Sequence, residues 1–583
     1  MICTPVWSVE RRNIYHLPAV ARIMAEAFSV STEEYHDIFG TSDEESDTVN
    51  SEGSDIDVQE VESDQEEDQN DGESDNDSNA SDTVEWSNEL EDFDIDEFSG
   101  QPGIKFNVPD NPSAISLFSQ LFGDSVVDLI VTEMNRYARQ KLANSPLLRK
   151  WKDTTNPEVK AYFGICIIMG LNNLPRIAMY WSTDPFIGNT GIQNVMTKNR
   201  FEELSQYLHF ANSETEPQRE DANYDRLFKI RPILSVVLEN IQNAYEPSKN
   251  LSVDEAMIAF KGRLSFRQYM PAKPTKYGIK VWMAADSQNG YVTNFSVYLG
   301  QEGNQPRLHG LGYDVVMKMA RPFLNKNRHV FFDNFFTSTT LMEHLLAQNT
   351  YACGTVRCNR KDLPPCAKSK LRQGEKVCAQ RGKVVFTKWH DKRDISFLST
   401  NVLPSEPSRA VQRRRNGRNF NIDKPRVADV YTSYMGGVDR ADQLRSFYFT
   451  GYSSRKWYRY IFWFLFNLSI CNAFVLESMY RNNRGQRKRA MINFRIDLAK
   501  QLINDFSQRQ RKPRSQEPQE HFVAQNAHVS VHVGGRKRKC VQCSKAGRRT
   551  PKGRKVETSY ECCLCKVGLC RTRCHNEFHE HAE

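Results

Sequence analysis

The order of hydrophobic and polar positions divides the chain into segments of different character. From about residue 113 to 250 the spacing of apolar residues is helical. The stretch "WKDTTNPEVKAYFGICIIMGLNNLP" is apolar nearly all round, which predicts a helix buried in a sizeable core. Thr155 or Asn156 fits the N-cap of this helix, Pro157 its first turn, and Pro175 lies beyond its end.

After residue 249 the pattern changes to that of strands. "NLSVDEAMIAF", "KYGIKVWMAAD" and "YVTNFSVYLG" predict three successive antiparallel strands, and "DSQNG" predicts the hairpin turn between the last two. "GLGYDVVMKMARPFL" then predicts a helix, "HVFFDNFF" a strand and "TSTTLMEHLLAQ" a helix. We therefore expect an α/β multidomain protein with an RNase H-like mixed sheet. The short β segments of residues 351–400 look like an inserted β-rich module.

One apolar run, "YIFWFLFNLSICNAFVL" at residues 460–476, raises the question of a membrane span. It is about 17 residues long and contains Asn467, Ser469 and Asn472. A span needs about 20 apolar residues, so a buried core helix is the better interpretation. The N-terminal "MICTPVWSVERRNIY" has no apolar core of the length that a signal peptide needs. We expect no membrane partner.

Charge is distributed unevenly along the chain. Residues 41–98 hold 25 Asp and Glu and no Lys or Arg, so we expect this segment to be disordered. The formal net charge of the chain is +6, but the rest of it carries 78 basic and 47 acidic residues, a net of +31. Such a body favours a polyanionic partner, and nucleic acid is the first candidate. The alternative is a positive surface that is merely solvated.

Cysteine placement predicts a metal site near the C-terminus. Seven of the 14 cysteines fall in the last 44 residues, a pattern typical of metal binding in a reducing compartment. CxxC spacing favours tetrahedral Zn²⁺, and this density predicts two ions in a cross-brace. A module this small and rich in cysteine needs its metal in order to fold. The predicted ligands are Cys540, Cys543, Cys562, Cys565, Cys570, Cys574 and His579.

The eighth zinc ligand stays open at this level, because Cys563, His575 and His581 all compete for it. The role of the module is open too. DNA binding is one possibility, and a RING-like or PHD-like protein-binding module is the other.

Four aspartates are candidates for a catalytic metal site. Asp254 interrupts an apolar strand and Asp333 lies inside "VFFDNFF", while Asp439 and Asp442 are one helical turn apart in "YMGGVDRADQ". Taken singly, each is better explained as structural; Asp333, for instance, fits the start of a turn. In an RNase H-like topology, however, the first and fourth strands are neighbours, and three carboxylates suffice to hold two Mg²⁺ ions for phosphoryl displacement. The glycines of "GGVD" would let the backbone approach the sheet.

Several of these motifs carry a family resemblance. "LSVDEAMIAFKGR", "VFFDNFFTS", "YMGGVDRADQ" and "RKWYRYIFWFLFNLSICNAF", with "WKDTTNPEVKAYFG" upstream, are similar to motifs of the piggyBac transposase family. The resemblance runs in order from about residue 105 to the C-terminus.

The resemblance implies specific roles for residues. Asp254, Asp333 and Asp439 match the three catalytic aspartates of that family, and Asp442 matches a further one. Trp457 matches a tryptophan used close to the DNA end. The Cys-rich domain would bind transposon-end DNA, with phosphate contacts from the neighbouring basic run, Arg536, Lys537, Arg538 and Lys539.

The implied activity is cut-and-paste transposition by a two-metal-ion DNA transposase. It proceeds with Mg²⁺ or Mn²⁺ through hairpins on the transposon ends and inserts at TTAA targets. The implied partners are double-stranded DNA and a second copy of the chain, in the nucleus, with no small-molecule substrate. Two alternatives stand beside it: a host-adopted, catalytically silent DNA-binding or chromatin-binding protein, and a simple nuclease, which the flanking domains do not favour.

Pattern and resemblance together predict eight segments. They are a disordered acidic region (1–100), a helical dimerisation and DNA-binding domain in two parts (105–250 and 445–510), the catalytic core in two parts (251–350 and 429–444), the β-rich insertion (351–428), a linker (511–535) and the zinc domain (536–583).

Overall fold

A computed structural model describes residues 85–143, 151–271, 273, 275–300, 307–415, 418–452, 454–508, 528–534 and 537–579. Expectations for residues 1–84, for Arg536 and for His581 lie outside these ranges. The chain separates into two compact units, the first ending at Arg509 and the second beginning at Gln510. They are described separately.

The first unit begins with helices, as the hydrophobic periodicity predicts. A two-residue strand, β1, pairs with β2 and ties the start of this region to its end. The helix predicted from "NPEVKAYFGICIIMGL" is α3, with Thr155 at the N-cap and ten of its side chains buried. The elements are β1 (Gly103–Ile104), α1 (Ala114–Leu121), α2 (Asp124–Ala143), α3 (Asn156–Leu171), α4 (Thr190–Val195), α5 (Lys198–Tyr207), α6 (Arg231–Ala244) and β2 (Tyr245–Glu246).

A nine-stranded mixed sheet follows. Its order is β4-β5-β3-β7-β8-β11-β10-β9, and β6 also pairs with β5. β3 is antiparallel to β5 and parallel to β7, and β7 is parallel to β8. The strands are β3 (Asn250–Ala259), β4 (Arg267–Tyr269), β5 (Tyr277–Asp286), β6 (Val292–Val297), β7 (Arg328–Phe332), β8 (Thr350–Thr355), β9 (Lys376–Arg381), β10 (Val384–His390) and β11 (Asp394–Ser399). Helix α7 (Gly310–Ala320) precedes β7, and α8 (Thr339–Ala347) connects β7 to β8.

The segment predicted as a separate β-rich insertion shares this sheet. Strand β8 would leave an exposed edge, and β11, β10 and β9 continue the sheet from that edge. The boundary drawn at residue 351 therefore cuts through one sheet. Only the hairpin of β12 (Arg409–Arg415) and β13 (Arg418–Lys424) pairs apart from it. Two helices then return to the core, α9 (Arg426–Tyr434) and α10 (Gly437–Ser446).

Both faces of the sheet are covered. One face packs on α7 and α8 around Trp282, Phe332 and Leu345. The other joins the helical region in a single core that includes α11 (Trp457–Asn483) and α12 (Met491–Ile503). Helix α11 is held to β6 by Asn472, whose side chain exchanges two hydrogen bonds with the backbone of Val292, at 3.0 and 2.9 Å.

Helix α11 contains the run that raised the membrane question. By length and composition it is able to cross a membrane, and the bent pair α1–α2 passes the same test as one span. Its apolar window is 89% buried inside the protein, as the core-helix interpretation expects.

The expectation of disorder is wrong for the end of the acidic region. Residues 85–99, here called the acidic strap, lie along the sheet. The backbones of Ser87 and Gln380 exchange two hydrogen bonds of 2.8 Å. Trp86 packs edge-on against Phe386 and donates its indole N–H to the carbonyl of Asp362 at 2.8 Å. These apolar and backbone contacts order the strap despite its charge.

The second unit contains β14 (Ser530–His532), β15 (Arg538–Lys539), α13 (Val541–Lys545), β16 (Glu557–Thr558), β17 (Tyr560–Cys562) and α14 (Arg573–His579). β14 pairs with β17, and β15 pairs with β16. The predicted linker, 511–535, is therefore drawn too long, because its last residues form a strand of the Cys-rich module.

Candidate active site and metal centres

Two of the candidate aspartates meet at the same level of the sheet. Strands β3 and β7 are parallel neighbours with Ser252 opposite Phe331. Two residues further along each strand, this register brings Asp254 opposite Asp333. The sheet topology therefore places Asp254 and Asp333 side by side, as the RNase H-like interpretation requires.

Asp254 occupies an electrostatically costly position. Its side chain is buried, with 7% of its surface exposed, and accepts a hydrogen bond from the backbone N–H of Glu255 at 2.8 Å. Burial, together with the neighbouring acids Glu255 and Asp333, raises the pKa of Asp254 to about 8 against the effect of Lys273. Burial likewise raises the pKa of Asp333. A cation between these carboxylates would relieve the cost.

Asp333 also has the structural role weighed from the sequence. Its Oδ1 accepts a hydrogen bond from the backbone N–H of Phe335 at 2.9 Å, and its carbonyl accepts one from Thr337 Oγ1 at 2.8 Å. The side chain therefore starts the turn that leads to α8, and the same turn holds its carboxylate at the end of β7.

Helix α10 is anchored on β3 by its first residues. The backbone N–H of Val438 donates to Ser252 Oγ at 3.1 Å. A Cβ on Gly437 would lie 2.4 Å from Ser252 Oγ, so only glycine allows this approach. A Cβ on Gly436, in contrast, would have no other atom within 4 Å. The prediction that glycine brings the backbone to the sheet is therefore confirmed for Gly437 alone.

The two aspartates of α10 have different neighbours. Asp439, in the first turn, is exposed and contributes to raising the pKa of Lys273, whose main neighbours are Asp254 and Glu255. Asp442 accepts a hydrogen bond from Arg445 at 2.9 Å and acts electrostatically on Cys471 of α11. The hypothesis that both face one metal site stays a prediction, and the two aspartates have different surroundings, because Asp442 points toward Arg445 and the helical region.

Sequence reasoning missed several groups around the acids. Lys273 forms a 2.8 Å ion pair with Glu255, and Lys280 lies 4.0 Å from the ring centre of Trp282. Burial lowers the pKa of Lys280, while Glu255, Asp333 and Asp254 raise it. Tyr431 of α9 has its pKa raised by burial and also by Asp333 and Asp254. The signal that the sequence offered is Lys280, a lysine in the otherwise apolar strand β5.

The donor chemistry of the acids fits a divalent cation of the Mg²⁺ class, since hard carboxylate oxygens converge on one end of the sheet. Within the described ranges, however, their oxygens do not form a set of three within 4.8 Å, and only Cys and His groups do so. The aspartates therefore suit such a metal ion in donor type and burial, but their oxygens do not form a closed set of ligands.

The Cys-rich module brings together two sets of four ligands. One set is Cys540, Cys543, Cys570 and Cys574, and the other is His528, Cys562, Cys565 and His579. The sets alternate along the chain, as a cross-brace requires. Within the first set Cys543 Sγ lies 3.4 Å from Cys574 Sγ and 3.9 Å from Cys570 Sγ, close to the sulfur separations of a tetrahedral Zn²⁺ site.

The residue that completes the second set of four is His528, which was not among the three candidates. Its Nδ1 lies 3.4 Å from Cys562 Sγ and 3.3 Å from Cys565 Sγ. Cys563 instead accepts a hydrogen bond from the N–H of Val529 at 3.4 Å. The carbonyl of His575 bonds His579 Nδ1 at 2.6 Å, which turns Nε2 of His579 toward Cys565. His528 lies in the stretch assigned to the linker, so its only sequence signal was a histidine upstream of the first CxxC.

The residues assigned to DNA contact differ in their surroundings. The ring of Trp457 is half-buried and packs edge-on against Phe266 at 5.4 Å between ring centres. Lys537 and Lys539 are exposed, while Arg538 forms a 2.5 Å ion pair with Glu561.

Comparison with known proteins gives a consistent picture. A family model described as Transposase IS4 matches residues 113–474. The human "PiggyBac transposable element-derived protein 3" is 26% identical over 497 residues, covering 82% of this chain and 78% of that protein. The human "PiggyBac transposable element-derived protein 2" is 29% identical over 377 residues, covering 63% and 61%.

A solved structure has the same fold. The cryo-EM structure of a "piggyBac transposase synaptic complex with hairpin DNA" superposes with a TM-score of 0.61 at 24% identity. The match covers 81% of this chain and 98% of the other.

Proposed function

The chain belongs to the Transposase IS4 family, of piggyBac type, and from this premise we propose that it is a metal-dependent DNA transposase. It would cut DNA at the ends of a mobile element, form hairpins on those ends and insert them at TTAA targets.

One observation carries the proposal. Asp254 on β3 and Asp333 directly after β7 lie at matching levels of two adjacent parallel strands, and α10, whose first turn contains Asp439, is bonded to Ser252 of β3. Three acids brought together from three distant stretches of sequence favour a metal-dependent phosphoryl-transfer site over a structural role.

Asp254, Asp333 and Asp439 are the residues that would hold Mg²⁺ or Mn²⁺. Bound metal ions would supply charge stabilisation for an in-line displacement at phosphorus. Asp254 offers a buried, fixed carboxylate, the turn at Phe335 orients that of Asp333, and Asp439 is exposed to solvent. Beside these acids, Lys273 forms an ion pair with Glu255, and burial lowers the pKa of Lys280.

The test is an excision assay. The genomic DNA that flanks the gene on both sides is cloned into a plasmid, the protein is expressed, and the repaired donor is sequenced. We expect restoration of a single TTAA, lost in Asp254→Asn, Asp333→Asn and Asp439→Asn. Each variant should bind DNA nearly as tightly as the unchanged protein, because the metal site and not the binding surface is removed. Excision that survives any of these changes would remove that residue from the active site.

A second candidate function is that of a host-adopted, catalytically silent DNA-binding or chromatin-binding protein. It is favoured by the names of the human relatives, which describe proteins derived from transposable elements. No excision despite intact flanking repeats and measurable DNA binding would select it.

Family membership extends the proposal to the assembly and the compartment. We propose that a homodimer acts on double-stranded DNA in the nucleus, and that the two Zn²⁺ ions of the Cys-rich module stabilise a DNA-binding surface. The exposed Lys537 and Lys539 support phosphate contact there.

A further inference from the structure

A cleft away from the candidate active site is lined by more lysines than acidic residues. It has a volume of about 410 Å³ and lies where α2, the loop after α5 and the start of α11 meet. Its lining includes Tyr137, Lys141, His209, Ser213, Lys229 and Lys456.

Lys456 is the central cation of this cleft. Its Nζ donates to Tyr137 Oη at 3.0 Å and lies 4.7 Å from the centre of that ring. Within the part of the chain that the structure describes, Lys456 forms no ion pair with a carboxylate. Burial and the nearby charges of Arg459, Lys141 and Lys229 lower its pKa to about 7. A partly buried cation among other cations is costly unless an anion joins it.

Helix α11 begins at this cleft and adds to its positive electrostatic potential. α11 has 27 residues, its N-cap is Lys456 without a side-chain cap, and its first turn contains no acid. The N-terminus of a helix carries partial positive charge and favours anions, yet this one bears Lys456 and Arg459. Arg459 donates to the carbonyls of Gln206 and Leu208, at 2.6 and 3.1 Å, which fixes the guanidinium beside the cleft.

The remaining polar groups define what the cleft accepts. His209 is buried, stacks on Tyr137 at 4.1 Å and bonds Ser213 Oγ at 2.9 Å. Burial and the surrounding cations lower the pKa of His209 to about 3, so it is neutral. The acids nearby are exposed Glu214, on the rim, and Glu216, which pairs with Lys229 at 3.4 Å. Lysines outnumber acids in the lining of the cleft, and ammonium, hydroxyl and helix-end donors together are typical of a phosphate site.

We propose that this cleft binds a backbone phosphate of DNA, with Lys456 as the central contact. The inference rests on the proposed function for its ligand. A DNA phosphate is favoured over a free one because the body of the protein carries a large positive charge and because the next residue, Trp457, is half-buried against Phe266 and marks an adjoining aromatic surface.

The test measures DNA affinity of the full chain against salt, with a short duplex carrying a fluorescent label. Lys456→Met should lower the slope of log affinity against log salt by about 0.9, the value for one lost phosphate contact. Between 50 and 200 mM salt the unchanged protein should then lose about three to four times more affinity than the variant. Lys456→Arg should keep the slope.

Lys326→Met is the matched control. Lys326 already pairs with Glu246 at 2.6 Å, so its removal should leave the slope unchanged. Thermal unfolding distinguishes a lost DNA contact from a folding defect. Because Lys456→Met removes a cation that has no carboxylate partner in the described residues, its melting temperature should equal or exceed that of the unchanged protein. Should the variant melt earlier, Lys141→Met on α2 must reproduce the smaller slope, because Lys141 lines the same cleft.

Inorganic phosphate distinguishes the two sources of the ligand. If phosphate protects the unchanged protein from heat more than it protects Lys456→Met, while DNA affinity is equal, the cleft binds free anions and the proposal is overturned. Equal slopes for Lys456→Met, Lys141→Met and Lys326→Met would also overturn it. If Lys456→Met has a smaller salt slope but the unchanged protein never excises DNA, the phosphate site in the cleft is supported and only the proposed transposase activity is refuted.

Discussion

Asp254 and Asp286 show how differently two buried acids in one sheet behave. Asp286, fully buried at the end of β5, accepts hydrogen bonds from Tyr245 Oη, Ser248 N and Oγ, and Gln288 N at 2.7–2.9 Å. Donors from the segment before β3 and from its own turn therefore satisfy its carboxylate. Asp254 has acidic neighbours and one backbone donor, and burial raises its pKa. Partners, and not burial alone, separate a structural acid from a candidate ligand.

The same reasoning separates the two aspartates of α10. Asp442→Asn removes only a partly exposed ion pair with Arg445, so we expect it to cost at most about 1 kcal/mol of unfolding free energy. DNA cleavage should fall less than about tenfold, whereas Asp439→Asn should reduce it by about 10³-fold or more. Cleavage rates and denaturant unfolding of the two variants, measured side by side, check this. A complete loss in Asp442→Asn would make it a metal ligand after all.

His528 is the residue whose role is easiest to verify. His528→Ala removes one ligand of the second metal set, so we expect the metal content of the purified chain to fall from two Zn²⁺ to one. His532→Ala is the control, since His532 at the end of β14 is near in sequence but packs against Tyr560 and belongs to neither set. Elemental analysis measures the zinc content of both variants. If His528→Ala still binds two zinc ions, the eighth ligand is another residue.

At the scale of elements, the junction of α10 with β3 is what assembles the site. A Cβ on Gly437 would meet Ser252 Oγ at 2.4 Å and the Cα of Ser287 at 3.1 Å, so the helix would have to move away from the strand. We expect Gly437→Ala to cost about 1–3 kcal/mol of unfolding free energy and to reduce cleavage. Gly436→Ala, with open space around it, should cost less than about 1 kcal/mol.

Unfolding and cleavage measured together on the two glycine variants test whether this approach positions Asp439. If Gly437→Ala were destabilised yet cleaved DNA at the normal rate, the approach would matter for folding only.

On the scale of the whole molecule, the acidic strap is part of the folded body. Trp86→Ala removes its packing on Phe386 and its hydrogen bond to Asp362, so we expect a loss of about 1–3 kcal/mol of unfolding free energy. Glu89→Ala, at an exposed position of the strap, should change it by less than about 0.5 kcal/mol. Thermal or denaturant unfolding of the full chain compares them. Equal stability of both variants would mean that the strap rests on the sheet without supporting it.

Much of the architecture follows from the sequence by itself. Apolar periodicity gave α3, the hairpin of β5 and β6 and the buried nature of α11, because the period of burial is a local property. The two CxxC pairs, Cys540 with Cys543 and Cys562 with Cys565, each lie within one of the two candidate metal sets, since two ligands on one short turn are close in space whatever the fold.

What only the tertiary structure decided depends on contacts between distant segments. The match of Asp254 with Asp333 needs the register of two parallel strands, and the role of Asp442 depends on which way one helix faces. His528 reaches its partners across 34 residues, and the acidic strap is ordered by a sheet edge formed almost 300 residues later. Composition describes the charge of a segment, but whether that segment folds depends on the surface it meets.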